Sequence, residues 1–522
     1  MPANSLRDRT AARPLPTPDV VKADESAVAL PALGWLKARA MFVIAVCAIV
    51  VAGLVGIPKH LAQDGWLALI AGRLIAAHGI PTHDYFTVMA HGVRWVDQQW
   101  LAQLAMYELV HLGGLQLMTV LYVLATSAAF AGAVAAGRAL GGEDLDVLAV
   151  TLPGAFFYLV TAVSIRTQGF AYPLFVTTLW LLASDLRAAQ RGRRVYWVLP
   201  LLVLWANLHG SATMGAGLAG LYGLIVLLRS VRSRGLSGLR DGRALLFIVG
   251  SPLSLLATPY GAGMIHYYRV TLTNPEFGRL VTEWKPIMSV PLLAIPFFVL
   301  GALIAVGVLL LALGARSGRA AWPPLYDTAV LAVLALGAVI AVRNVTWFGL
   351  ALIILLPPLV TALRRDRAAP LRRSRVNLLI ALGTMAVAAL MTGSVLARPA
   401  SWFDSTYPRD AIPTLSRLIA RDPRATIFAD VRYADWLIWE RPALFSGRVA
   451  YDTSFELLTR NQLEAIAHLA ARNTNARALL AHYSIWMLYP ANHVTDRELL
   501  RRAGVHVVSR SRRVIIATHG LG

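Results

Sequence analysis

The chain has 522 residues, 57% hydrophobic and 15% charged, and 49 Lys and Arg against 28 Asp and Glu give it a net charge of +21. That apolar share excludes an ordinary soluble domain. The single cysteine, Cys47, excludes an internal disulfide, a thiolate metal site and a Cys nucleophile, and inside an apolar run it is most simply a small packing residue.

Residues 1–38 open the chain with a proline-rich stretch of mixed charge and no apolar period, expected to be disordered and cytoplasmic. A cleaved signal peptide is not expected, because a long polar segment precedes the first apolar run and no small-residue cleavage site follows Ile57. Apolar runs able to cross a hydrocarbon core of ~30 Å then recur through residues 39–398. Spans are read at Ala40–Ile57, Leu115–Gly137, Leu145–Ile165, Gly169–Leu186, Val195–Leu208, Ala212–Leu228, Ala244–Thr258, Val290–Leu313, Leu325–Val342, Thr346–Leu363 and Val376–Ala397. Each has to be helical, since an unpaired backbone amide in lipid costs several kcal/mol.

The loop of residues 60–100 is unusually rich for a connection between spans. Asp64 opens a helix with apolar Trp66, Leu67, Ile70, Leu74 and Ile75, expected to lie along the membrane interface. A Gly79-Ile-Pro81 turn leads to His83, Asp84 and Tyr85, and from Asp97 a second amphipathic helix is expected to run through Leu101, Leu104, Ala105, Glu108 and Leu109. Helix capping is the plain alternative role for Asp64 and Asp97. Farther on, arginines gather in alternate loops: Arg187 to Arg194, Arg229 to Arg243, Arg316 with Arg319, and Arg364 to Arg375. About eleven spans put all of these on one side, which the positive-inside rule makes cytoplasmic. The charge is therefore a topology signal and calls for no nucleic acid. An odd number of spans then places the C-terminal part outside, with the 60–100 loop.

Two letter patterns carry no chemistry. Gly215-Ala-Gly217-Leu-Ala-Gly220 copies a dinucleotide-binding fingerprint but lies inside a span without a preceding strand, so small residues for helix packing are the better reading. Asn344-Val-Thr346 copies a glycosylation acceptor but is squeezed between two spans. Residues 399–522 alternate short apolar runs, at Thr426–Ala429, Ala443–Phe445, Ile485–Leu488, Val505–Val508 and Val514–Ala517, with expected helices around Phe455–Arg472 and near Glu498–Ala503. That pattern predicts a small α/β domain with a mixed sheet, an outer cap over the membrane part. Asp430, Asp435 and Asp452 there are candidates for sugar hydroxyls, with surface carboxylates as the plainer reading.

An Asp just after the first span, an amphipathic helix, Gly79-Ile-Pro81 followed by Asp84 and Phe86, and a tryptophan-rich helix start make one pattern. Trp205-Ala-Asn207-Leu-His209-Gly210, Pro259-Tyr260-Gly261 and Glu283-Trp284 add to it. Over roughly Ala40 to Leu363 it resembles the integral-membrane GT-C glycosyltransferases, of the protein O-mannosyltransferase and lipid A sugar transferase type. Where many relatives carry an acidic doublet this chain has Asp64-Gly65, a departure that weakens the case for a metal site. The resemblance implies a mainly α polytopic enzyme of the bacterial cytoplasmic membrane. Its donor would be a polyprenyl-phosphate sugar and its acceptor an envelope glycan, lipid or protein. It implies inverting transfer, with Asp64 as the base and Asp84 as second choice. Arg343 and Arg166, at outer span ends, would hold the phosphate, where arginine binds bidentately; snorkelling to the interface is their alternative role. His209, His266 and Glu283 are further outer-face candidates for substrate binding. No cofactor is required by the sequence, and a divalent cation is left open. A lipid or glycan transporter of flippase type, or a non-catalytic envelope-assembly protein, is the competing function. Against transport stand the lack of a paired repeat and of ionisable residues at mid-membrane depth.

Overall fold

A computed structural model describes residues 31–61, 63–364, 374–470, 476–490, 500 and 504–520. Eight of its helices are long and apolar enough to cross a membrane, and Arg194–Leu208, Gly242–Ser254 and Leu325–Ile340 are shorter apolar helices. Each expected span coincides with one of these helices. Trp100–Ala139 joins the second amphipathic helix to a span across a kink at Gly113 and Gly114, where Gly114 takes φ +71°, a left-handed conformation that suits a residue without Cβ.

Val345–Leu363 is the hub of the bundle, buried along nearly all its length. It lies against Asp144–Ala162 through facing glycines: a Cβ on Gly349 would come within 2.8 Å of the Gly154 carbonyl oxygen, so the backbones touch. Pro291–Arg316 instead turns Leu292, Leu303 and Leu309 outward, the apolar exposure of a lipid-facing helix. Within Ala212–Arg234 only part of the glycine pattern packs closely. Gly215 sits under the Trp205 ring, whereas nothing lies within 4 Å of a Cβ on Gly217 or Gly220. The Asn344 to Thr346 triplet is internal, with Asn344 Nδ2 donating to the Gly337 carbonyl and Thr346 Oγ1 bonded to Thr161 Oγ1 at 2.6 Å.

One end of the bundle is basic, and five of its arginines pair with carboxylates. Arg187 pairs with Asp327, Arg191 and Arg234 with Asp241 at 2.8 and 2.7 Å, Arg243 with Asp185 at 2.9 Å, and Arg364 with Asp146 at 2.6 Å. These carboxylates are buried, so the cluster ties helix ends together besides marking a side.

The other end carries the C-terminal domain. Its sheet runs in the order β1 (Ile427–Ala429), β2 (Ile485–Leu488), β4 (Ile515–His519), β3 (Val505–Arg510). β1 and β2 are parallel with Ile427 opposite Ile485, and the other pairings are antiparallel, so the sheet is mixed. Ala443 to Phe445, read as a strand-like run, is instead part of the helical turn Pro442–Phe445, which a proline at its first position initiates. The helix expected from Phe455 to Arg472 begins only at Arg460, after a 3₁₀ turn at Phe455–Leu457. The expected helix at Glu498–Ala503 lies outside the described residues apart from Leu500.

This domain and the first outer loop are one body. Val88 and Met89 N–H donate to the carbonyls of Val449 and Ala450 at 2.8 and 2.9 Å, and Gly447 N–H donates to Phe86 at 2.8 Å. The 447–450 segment in turn bonds to β1 through Ile427. The helix Gln63–His78 is consequently not an exposed interfacial helix, as its pattern predicts: it is buried through most of Gly65–Ile75, and only Asp64 and the last turn, Ala76–His78, are exposed. Gly65 and Gly72 let it approach Ile165 and Gln103 backbone to backbone, and Trp66 meets the Tyr407 ring edge-on at 5.7 Å. Arg73 donates to the Ile438 and Trp439 carbonyls, satisfying the C-terminal end of helix Val431–Glu440.

Candidate active site

Seven chain segments meet around one cavity of about 290 Å³ between the helix ends and the C-terminal domain. Asp64 comes from the first turn of helix Gln63–His78, and its side chain is 54% exposed. Arg166 stands on extended backbone between two spans, held by an Ile165 N–H bond to the His60 carbonyl and a Tyr122 hydroxyl bond to the Ser164 carbonyl. Its guanidinium donates both arms to Glu283, at 2.7 and 2.8 Å, and lies 3.5 Å from Asp64. Glu283 belongs to the turn Thr282–Trp284. Burial works against its charge, yet Arg166, and then Arg343, hold its carboxyl below its ordinary value.

Arg343 stands in the turn Val342–Asn344, joined to the Glu283 segment by a Val342 N–H bond to the Lys285 carbonyl. Its guanidinium lies over the Trp284 ring, 4.6 Å from the centroid. Among the described residues no hydrogen-bond acceptor or carboxylate partners it. The aromatic face stabilises the cation from below and leaves its donors for the cavity. His209, just past helix Val198–Leu208, accepts from Ser211 N–H through Nδ1, so the neutral ring carries its proton on Nε2. Burial, then Arg343 and Arg166, push this histidine down to about 3.

Asp84 is not among the cavity residues. Its carboxylate is used by its own turn, accepting from Phe86 N–H, Thr87 N–H and the Thr87 hydroxyl, which fixes the strand-like segment that bonds Val449. The second-choice base thus holds the loop to the C-terminal domain. Asp97 lies two residues ahead of the N-cap Gln99 of its helix. Burial, opposed by Gln99 N–H and reinforced by Glu456, pushes it up to about 8. His266 does not line the cavity, whereas the adjacent Tyr267 and Tyr268 do. In the C-terminal domain Asp430 caps the helix Val431–Glu440, and Asp435 and Asp452 are buried behind the cavity wall.

Sequence reasoning expected a cap but missed the residues it brings to the site. Thr453, Phe455 and Glu456 close the cavity from the C-terminal domain, and burial, with Asp64 and Asp84 adding to it, pushes the Glu456 carboxyl up to about 7. Gln98 and Gln168 were missed as well. Gln168 follows Arg166 by two positions, a proximity that offered the one available signal. Among the described residues no group of three or more His, Cys, Asp or Glu side chains is placed to hold a metal ion.

No protein-family model matches the sequence, and no curated protein matches it. Among solved structures, it is similar to ArnT from Cupriavidus metallidurans bound to undecaprenyl phosphate, at 14% identity and a TM-score of 0.49 over 93% of this chain and 98% of that one. It is also similar to the apo oligosaccharyltransferase of Archaeoglobus fulgidus, at 11% identity and a TM-score of 0.48 over 88% of this chain and 70% of that one. Likenesses this distant do not carry an activity to this chain.

Proposed function

We propose that this protein is a membrane glycosyltransferase that moves a sugar from a polyprenyl-phosphate donor to an envelope acceptor at the outer face of the bacterial cytoplasmic membrane. The observation that carries the reading is the meeting of Asp64, Arg166, His209, Glu283 and Arg343 around one cavity, although they come from five segments spread over the chain. Every one of these segments follows the same end of a bundle whose opposite end is basic. The positive-inside rule makes the basic end cytoplasmic and the cavity extracytoplasmic.

In this reaction the acceptor hydroxyl attacks the anomeric carbon, the new C–O bond forms on the face opposite the phosphate, and the lipid monophosphate leaves with the electrons of the broken bond. Asp64 takes the acceptor proton. Its open flank and its place at the cavity rim suit a group that meets an incoming acceptor. Arg343 holds the phosphate oxygens, since among the described residues it is the cavity arginine whose guanidinium no carboxylate bonds. Arg166 and Glu283 form the fixed frame that positions Asp64. Neutral His209 contributes a hydrogen-bond donor rather than a charge.

A transporter places its site near the bilayer midplane between repeats. Here the cavity lies at the helix ends beneath a folded cap, which favours chemistry over translocation. The test is donor binding by Arg343→Gln in detergent. A desolvated charge-assisted contact is worth roughly 1.5–3 kcal/mol, so affinity for a polyprenyl-phosphate sugar should fall about tenfold or more. Unchanged affinity would return Arg343 to a packing role on Trp284.

A further inference from the structure

The cavity has a second, uncharged wall that the phosphate and the proton transfer do not use. Gln168 is fully buried, and neither its amide oxygen nor its nitrogen has a partner. Gln98, also buried, has an unpartnered amide oxygen. The Tyr268 hydroxyl and the Thr271 hydroxyl are likewise buried without a partner, and all four side chains line the cavity. Such groups are rarely left unsatisfied, because each buried orphan costs free energy that a ligand hydroxyl recovers. Their neighbours show that the wall is fixed. Gln99 accepts from the Thr167 hydroxyl at 2.5 Å, which locks the segment between Gln98 and Gln168. Gly210 keeps that space open, since a Cβ there would lie 3.3 Å from Gln98 Oε1 and 3.5 Å from the Tyr267 hydroxyl.

We infer that Gln98, Gln168, Tyr268 and Thr271 form the sugar subsite of the donor, built for an uncharged, hydroxyl-rich ring. This rests on the glycosyltransferase reading and deepens it. An amide supplies a donor and an acceptor on one plane, and a hydroxyl supplies both, which is what neighbouring ring hydroxyls require. The wall itself offers no carboxylate to hold an amino sugar and no cation to hold a uronic acid. Discrimination follows from the same chemistry, because a site built to bond hydroxyls rejects a ring that leaves its buried groups unpaired.

The test titrates the full chain in detergent with a short isoprenyl phosphate, either bare or carrying a neutral hexose, an amino sugar or a uronic acid. The hexose compound should bind at least tenfold more tightly than the bare phosphate and more tightly than the two charged sugars. Gln98→Leu and Gln168→Leu should each lose about tenfold for the hexose compound and stay within about twofold for the bare phosphate, and Tyr268→Phe should act the same way more weakly. Melting temperature should hold or rise in the leucine variants, because an apolar group replaces a buried orphan amide; a glutamine needed for structure would lower it. No gain from the hexose, a preference for a charged sugar, or equal losses for bare and glycosylated phosphate would overturn the assignment. Arg343→Gln separates the two readings. If it leaves the bare phosphate unaffected, the phosphate site itself is wrong, whatever the glutamine variants do.

Discussion

Arg166 shows how much a single residue of this site depends on its neighbours. Its guanidinium is 14% exposed and is held by Glu283, with Asp64 more distant at 3.5 Å. Removing Glu283 leaves that cation with one looser partner, so Glu283→Ala should destabilise the protein by roughly 3 kcal/mol, with Glu283→Gln costing less because it keeps an acceptor. Thermal unfolding read from tryptophan fluorescence checks both, and an alanine variant as stable as the parent would show that the pair contributes nothing. At this scale the sequence is readable wherever a charged residue stands at the end of a span. Charge beside lipid is costly unless it is used, and that rule finds Asp64, Arg166, Glu283 and Arg343. It is silent on Gln98, Gln168 and Glu456. Amides carry no such cost signal, and Glu456 reaches the cavity from a domain whose docking no local pattern encodes. Asp84 misleads for a related reason, since an Asp in a turn looks the same whether it serves chemistry or its own backbone amides.

The helix Gln63–His78 is the element on which the site and the cap both rest. It reads as interfacial because its apolar residues recur at helical spacing, yet they are covered by helix Trp100–Ala139 and by the C-terminal domain. A Cβ on Gly72 would run into the Gln103 carbonyl oxygen and close on Tyr107, both fixed by the neighbouring helix. Gly72→Ala should therefore lower stability by about 1–3 kcal/mol or more, despite alanine's better helix propensity. A melting temperature at or above that of the parent would contradict this packing. The spans themselves are legible at this scale, because nothing but a helix satisfies its backbone in lipid. A turn such as Pro442–Phe445 is not, since three or four apolar residues fit a strand or a helical turn equally well.

For the whole molecule, two features have consequences that solution experiments read. Topology is the first. With Cys47 replaced, a cysteine at exposed Ser237 should resist a membrane-impermeant thiol reagent in intact cells, and one at exposed Ala420 in the cap should be labelled. The reverse pattern would invert the protein in the membrane. Acidity is the second. Burial, with Asp84 beside it, pushes Asp452 up to about 8, and Asp97 and Glu456 are raised too, to about 8 and about 7. The folded protein keeps these protons where the unfolded chain, with ordinary carboxyls, has released them. Stability should thus fall as pH rises from about 4 to about 8, and Asp452→Asn should flatten part of that slope. Melting temperatures at about pH 5 and about pH 8.5 decide it, and a rise toward alkaline pH would contradict the buried carboxyls. This coupling of cap, loop and cavity is invisible to sequence reading, because it joins the 60–100 loop to residues more than three hundred positions away.

The most direct test of the enzyme reading is Asp64→Asn in proteoliposomes supplied with a polyprenyl-phosphate hexose and an envelope acceptor fraction. Asparagine nearly preserves the shape of aspartate and supports a helix start about as well, so melting temperature should stay near that of the parent. Transfer of the hexose should fall by roughly two to four orders of magnitude, the usual span for losing a general base. An equally stable Asn variant that transfers sugar at the parent's rate would contradict Asp64 as the base, and with it the central claim about this cavity.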